Sequence, residues 1–133
     1  MGVQKQTVQK TAIEDRPGAL QELLSSIGDS GANVVFMIAL SAGAGKGAAY
    51  VIADKPEALK DAVKSTELAV EELTGFLLSG ADKVGLGAEV TTPLSDAGIN
   101  IVLSAATVAA GEYQLLILVD PEYIEAAANA LGA

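Results

Sequence analysis

The sequence contains one internal repeat, and this repeat limits the possible folds more than any other feature of the chain. When residue 29 is aligned with residue 96, the segment 29–35 (DSGANVV) matches the segment 96–102 (DAGINIV). Self-similarity at a fixed spacing indicates a repeated structural unit, so we predict two similar units, residues 1–66 and 67–133. Identical residues at the same shift include Asp15 and Asp82, Gly18 and Gly85, and Asn33 and Asn100.

The first unit shows the order strand, helix, strand, strand, helix. Residues 7–14 alternate polar and apolar side chains, as a half-buried strand does, and residues 17–31 place Leu and Ile at helical spacing. Residues 33–40 and 48–53 are apolar and β-branched, which is typical of two strands joined by a turn. The second helix is predicted to begin at Asp54, with this side chain as its N-cap.

A ferredoxin-like βαββαβ unit needs one more strand after its second helix, and the second unit reaches Ala133 without one. The segment 67–81 is long enough for two short strands in succession, so its first half can close the first unit. Residues 3–6 can then close the second unit, and this exchange would cover exposed strand edges. We therefore predict an α+β protein with antiparallel sheets, helices on one face of each sheet, and exchanged edge strands.

The composition excludes several classes of function. The chain has 17 acidic and 8 basic residues, a net charge of −9, and no Lys/Arg stripe of the kind that nucleic-acid binding requires. It contains no Cys and no His, which removes disulfides, zinc sites with nitrogen or sulfur ligands, and imidazole or thiol catalysis. No segment has the length of a membrane span. We expect a soluble cytoplasmic protein that binds neither nucleic acid nor membrane.

The glycine-rich segment 43–47 (GAGKG) invites comparison with a phosphate-binding loop. Such a loop joins a strand to a helix and ends in Gly-Lys followed by Ser or Thr. Here Gly47 stands where Ser or Thr is required, and a strand follows instead of a helix. The segment is therefore interpreted as a hairpin turn with Lys46 at its tip.

The segment 14–20 (EDRPGAL) lies between a predicted strand and the first turn of a predicted helix. Free backbone amides and the helix dipole attract a carboxylate at such a place, and Gly18 allows close approach to the backbone. The alternative is that Asp15 and Pro17 only shape the turn. Asn33 and Asn100 recur at the same register and fit either a shared turn or a shared ligand-binding amide.

The segment 14–37 (EDRPGALQELLSSIGDSGANVVFM), followed by paired strands and a helix that opens with DKPEAL, resembles an ACT domain, a small amino-acid-sensing module of metabolic regulation. The segment 96–102 resembles the corresponding part of a second copy. The second loop, residues 82–90 (DKVGLGAEV), lacks the proline of the first loop. The resemblance covers both halves and implies two ACT units in tandem.

In this family, the loop between the first strand and helix usually faces the second strand of a neighbouring module, with the ligand between them. Backbone amides at 18–20 would bind a ligand carboxylate, and Asp15 or an Asn amide oxygen would bind the ammonium group. The side chains that select the ligand would be Leu20, Val34 and Ile101. The implied first site contains Asp15, Arg16, Pro17, Gly18, Ala19 and Leu20 with Asn100 and Ile101 opposite. The reciprocal site contains Asp82, Lys83, Val84, Gly85 and Leu86 with Asn33 and Val34.

The resemblance implies a non-catalytic regulatory protein that binds a free amino acid between its ACT units, needs no cofactor, and signals to a metabolic enzyme. It also implies a homodimer formed by joining sheets. The alternative is a ligand-independent regulatory subunit that acts only through protein contacts. A small ferredoxin-like enzyme is disfavoured, because catalysis would depend on Asp, Glu, Lys or Tyr alone.

Overall fold

The chain forms six β-strands and four α-helices, and the computed structural model describes residues 1–133. None of the helices combines the length and the apolar character needed to cross a bilayer. A short 3-10 turn, Pro121–Tyr123, precedes the last helix. In chain order the elements are β1 (Gly2–Glu14), α1 (Ala19–Asp29), β2 (Val34–Gly43), β3 (Lys46–Ala53), α2 (Pro56–Ser65), β4 (Val70–Ala81), α3 (Leu86–Asp96), β5 (Leu103–Ala109), β6 (Glu112–Leu118) and α4 (Ile124–Leu131).

The N-terminal unit comprises Thr7–Leu73. Its strands are antiparallel in the order β2, β3, β1, and Ile13 of β1 lies opposite Gly47 of β3. Alternate strand residues point to one face, where Val51 packs with Leu23 of α1 and Leu59 of α2. Both helices therefore cover the same face of the sheet, as predicted.

The C-terminal unit comprises Met1–Gln6 and Thr74–Ala133. Its strands β4, β6 and β5 are antiparallel in that order. Phe76 and Ile117 form its core with Leu94 of α3 and Ala127 of α4. This unit repeats the arrangement of the first, so the predicted α+β fold with helices on one face of each sheet is confirmed.

The fourth strand of each unit comes from the other half of the sequence. Val70, in the first residues of β4, packs against the core of the N-terminal unit, and Val3 of β1 packs against the core of the C-terminal unit. Lys5 also forms an ion pair with Glu125 of α4, with 3.2 Å between Nζ and Oε1. The structure thus shows the predicted exchange of edge strands, and the chain passes from one unit to the other within β1 and within β4.

The glycine-rich segment is a two-residue hairpin turn, as predicted, but Lys46 is the first residue of β3 and not the tip of the turn. Ala44 and Gly45 connect β2 to β3 with φ of 56° and 73°. Positive φ at both central residues is the geometry of a type I′ turn, which matches the twist of the adjoining strands. Ala110 and Gly111 form the same turn between β5 and β6, with φ of 50° and 78°.

The predicted N-cap of α2 is wrong. This helix begins at Pro56, and the N-cap position falls on Lys55, with no side-chain cap hydrogen bond. Proline is favoured at the first helical position, which places Asp54 one residue too early to cap the helix. The Asp54 carboxylate instead accepts a hydrogen bond from the Asn33 amide at 2.8 Å, and the Asp54 amide donates to the Asn33 carbonyl at 3.0 Å.

Candidate functional site

The loop between β1 and α1 is held in place by the hairpin beside it. The amide of Asp15 donates to the carbonyl of Gly45 at 2.9 Å, and the Ser41 hydroxyl donates to Asp15 Oδ2 at 2.6 Å. Gly18 then takes the N-cap position before the helix with φ of 89°, a left-handed conformation that favours glycine. These contacts fix the direction of the Asp15 carboxylate and leave Oδ1 without a partner among the hydrogen bonds of the loop.

A small cavity adjoins this loop, and we refer to it as the loop pocket. It is lined by residues 13–16 at the end of β1, Leu20 of α1, residues 39–41 of β2, and Gly47 of β3. Its volume is about 190 Å³. Pockets for drug-sized ligands usually measure about 300–1,000 Å³, so this pocket fits only a small molecule.

The first backbone amides of α1 are hydrogen-bond donors, and one of these residues, Leu20, lines the loop pocket. The Ala19 amide donates to the carbonyl of Arg16 at 3.3 Å. The amides of Leu20 and Gln21 have no acceptor within the helix, because the first amides of a helix precede its hydrogen-bond ladder. No side chain caps this helix at Gly18. The positive end of the helix is therefore available to a carboxylate.

Arg16 forms ion pairs with two carboxylates of its own unit. Its Nε lies 2.7 Å from Glu14 Oε2, and its Nη2 lies 2.9 Å from Glu22 Oε2. The hydrogen bonds that Arg16 donates to Glu22 and then to Glu14 raise the pKa of Arg16 above its usual range, while the hydrogen bond from Arg16 lowers the pKa of Glu22. The guanidinium therefore ties the loop to the first turn of α1, and its charge is already balanced.

The loop between β4 and α3 repeats this backbone arrangement in the C-terminal unit. The amide of Asp82 donates to the carbonyl of Gly111 at 2.9 Å, and Gly85 takes the N-cap position of α3 with φ of 80°. Lys83 pairs with Glu89 of α3, with 2.7 Å between Nζ and Oε2. The repeat thus preserves the turn contact, the left-handed glycine and the ion pair.

Several residues of the sequence-predicted sites have structural contacts of their own. Ala19 and Leu86, at equivalent places in α1 and α3, are buried at 7% and 6% exposure. Val34 and Ile101 pack against the core of their own unit. Pro17, Val84, Asn33 and Asn100 are exposed, and Ile101 precedes β5, which begins only at Leu103.

The loop pocket brings together Asp15, Arg16 and Leu20 of the predicted set, and Pro17 and Gly18 lie in the loop beside them. The predicted opposite walls, Asn100 with Ile101 for the first loop and Asn33 with Val34 for the second, join residues of different units and stay predictions. Sequence reasoning missed Ser41 and gave Gly47 only a turn role. The one sequence feature that singled out Ser41 is its position directly after the apolar run that ends at residue 40.

No protein-family model matches the sequence, and no curated protein matches it. Solved structures with a similar fold include a protein from Bacteroides thetaiotaomicron, with a TM-score of 0.85, 18% identity, and coverage of 98% of this chain and 88% of that one. The ligand-free regulatory subunit of aspartate kinase from Thermus thermophilus gives a TM-score of 0.63 at 19% identity, with coverage of 99% and 95%.

The aspartate kinase of Clostridium acetobutylicum, described as an allosteric enzyme, gives a TM-score of 0.56 at 17% identity. The match covers 98% of this chain but only 33% of that enzyme. At these identities the comparison establishes the fold. The fold expected from the resemblance to two ACT domains in tandem is confirmed.

Proposed function

We propose that this protein is a non-catalytic regulatory protein that binds a free amino acid, or a similar small carboxylate, at the loop pocket. One observation carries the proposal: a cavity of about 190 Å³ lies between the uncapped start of α1 and the Asp15 carboxylate. Donors for an anion and an acceptor for a cation therefore flank a space of small-molecule size. A zwitterion has both charges on one small framework.

The ligand carboxylate binds the amides of Leu20 and Gln21, which have no acceptor in the helix. The ligand ammonium binds Asp15, whose Oδ2 already accepts the Ser41 hydroxyl and whose Oδ1 remains open. Arg16 contributes to the shape of the loop through its ion pairs. The side chain of the ligand meets Leu20 and residues 39–40, so a modest apolar side chain fits this pocket.

The regulatory part of the proposal is supported by what the similar structures are said to be. One is the regulatory subunit of an aspartate kinase. Another is an aspartate kinase described as an allosteric enzyme, and the match to this chain covers 33% of its length. By analogy, binding is passed on to a metabolic enzyme on a separate chain, and the protein acts as a homodimer. A ligand can shift the equilibrium between two conformations of such a protein only if it binds one conformation more tightly than the other.

A thermal-shift screen of the purified protein against the common amino acids tests the proposal. A ligand at one hundred times its dissociation constant stabilises the folded state by about 2.7 kcal/mol, which raises Tm by several degrees in a protein of this size. Asp15→Asn should abolish the rise for the amino acid that binds. Asp61→Asn, which removes an exposed acid on α2, is the matched control and should retain it.

A selective rise that depends on Asp15 supports the sensor. If no amino acid changes Tm, the protein does not sense amino acids, and the ligand-independent regulatory subunit becomes the better description. If the rise survives in Asp15→Asn, the ligand binds elsewhere and the assignment of the loop pocket is wrong.

A further inference from the structure

The two units differ at the positions that form the loop pocket. Ile13 lies opposite Gly47 in the N-terminal unit, and at the same place in the C-terminal unit Gly80 lies opposite Tyr113. Leu20 of α1 corresponds to Gly87 of α3 by the shift of the repeat. Large and small residues have therefore exchanged places at three positions, and the N-terminal set Ile13, Leu20 and Gly47 becomes Gly80, Gly87 and Tyr113.

Gly47 lines the N-terminal pocket without a side chain, and the atoms around it leave no room for one. A Cβ at this position would lie 2.8 Å from the carbonyl oxygen of Leu40 and 3.4 Å from Cγ1 of Ile13. The first distance is shorter than a normal contact with a backbone atom, so the backbone of β2 would have to move. Position 47 is therefore restricted to glycine, and no side chain from this position enters the loop pocket.

Tyr113 stands at the place of Gly47 in the C-terminal unit, opposite Gly80 of β4. Its hydroxyl oxygen lies 3.1 Å from the position that a Cβ on Gly87 would take, so the tyrosine reaches the first turn of α3. Its ring is half-buried and packs against the core of that unit. A residue as large as Leu20 could not stand at position 87 beside this tyrosine.

The two units also differ at the position of Ser41, which supplies a polar side chain to the loop pocket. Ser41 lies opposite Gly47 and donates its hydroxyl to Asp15, whereas Val108 lies opposite Tyr113. Valine has no hydrogen-bonding group in its side chain, so it cannot hold Asp82 as Ser41 holds Asp15. The C-terminal loop keeps the backbone contact of the first loop, but Tyr113 stands in place of Gly47 and Val108 in place of Ser41.

We infer that Tyr113 closes the C-terminal counterpart of the loop pocket, so that each chain binds one ligand, at the N-terminal loop. This inference rests on the proposed function, since it concerns the same ligand. The reciprocal set Asp82–Leu86 then has a structural role, and Tyr113 is the residue that excludes the ligand from it.

A rescue experiment without ligand tests the packing. Gly87→Leu alone should lower Tm by several degrees, because the leucine meets the Tyr113 hydroxyl. Tyr113→Gly alone should also lower Tm, because it empties part of the core. The double variant recreates the N-terminal pair Leu20 and Gly47, and its Tm should exceed that of Gly87→Leu. If the decrease in Tm of the double variant equals the sum of the two single decreases, Tyr113 does not occupy the space beside Gly87 and the inference is overturned.

Titration calorimetry with the amino acid that gives the largest thermal shift tests the stoichiometry. The expected result is one ligand per chain, with binding lost in Asp15→Asn and unchanged in Asp82→Asn. Two ligands per chain, or an equal loss in the two variants, would overturn the inference. If no amino acid binds, the proposed function fails, and the rescue experiment still decides whether Tyr113 closes the C-terminal pocket.

Discussion

The loops before α1 and α3 have nearly the same backbone arrangement, while the helices that follow them differ. Each loop places an aspartate amide 2.9 Å from the carbonyl of a hairpin glycine and enters its helix through a left-handed glycine. The first helix, α1, buries Ala19, Leu23 and Ile27, whereas α3 buries only Leu86 and Leu94.

Helix α3 is also the less regular of the two. Thr91 and Thr92 donate to the carbonyls of Gly87 and Ala88 at 2.8 Å and 2.7 Å, and such bonds compete with the helix ladder. Pro93 lies inside the helix and has no backbone N–H, so the carbonyl of Glu89 lacks the helical hydrogen bond that it would otherwise accept. The loop geometry has survived these changes, which indicates that the hairpin contact positions the loop more than the helix does.

The largest expected difference between the two units concerns helix packing. Leu23→Ala should lower the free energy of unfolding by about 2–5 kcal/mol, because Leu23 is 1% exposed in the N-terminal core. Val90→Ala, the equivalent change in α3, should cost about 1 kcal/mol, because Val90 is only half-buried. Urea unfolding of both variants measures the two losses. Equal losses of unfolding free energy in the two variants would show that the packing of α1 and that of α3 contribute equally to stability.

The two left-handed glycines should behave alike in stability and differently in binding. A Cβ on Gly18 meets nothing closer than 3.8 Å, and one on Gly85 meets nothing within 4 Å, so only the backbone conformation resists alanine. Each Gly→Ala change should cost about 1–2 kcal/mol in urea unfolding. Only Gly18→Ala should weaken the amino-acid-dependent rise in Tm. If Gly85→Ala weakens that rise as much, the two loops are not functionally different.

The smallest expected effect concerns acid stability. Arg16 lowers the pKa of Glu22, so the folded state binds a proton at this group less readily than the unfolded chain. The pair therefore stabilises the protein above the ordinary glutamate pKa of about 4.3, and this contribution is lost as pH falls through the lower folded value. Glu22→Gln should remove a small part of the fall in Tm between pH 6 and pH 3. An unchanged pH profile would show that this exposed pair contributes nothing measurable.

The sequence predicted the features that depend on short-range pattern and on the repeat. Alternation and helical spacing predicted the elements, and the missing last strand of the second unit led to residues 3–6, which the structure places with that unit. The contacts that no local pattern encodes were missed. Ser41 meets Asp15 across 26 positions of sequence, and Tyr113 reaches Gly87 across the same separation. The cap at Asp54 failed because Pro56 set the start of α2.

The central claim is that a ligand carboxylate binds the open amides at the start of α1 and not those at the start of α3. Amide chemical shifts of ¹⁵N-labelled protein, titrated with the amino acid that stabilises it most, test this directly. We predict saturable shifts of the Leu20 and Gln21 amides, with the Gly87 and Ala88 amides unchanged. Equal shifts at both helices, or shifts at neither while the protein is stabilised, would contradict the account.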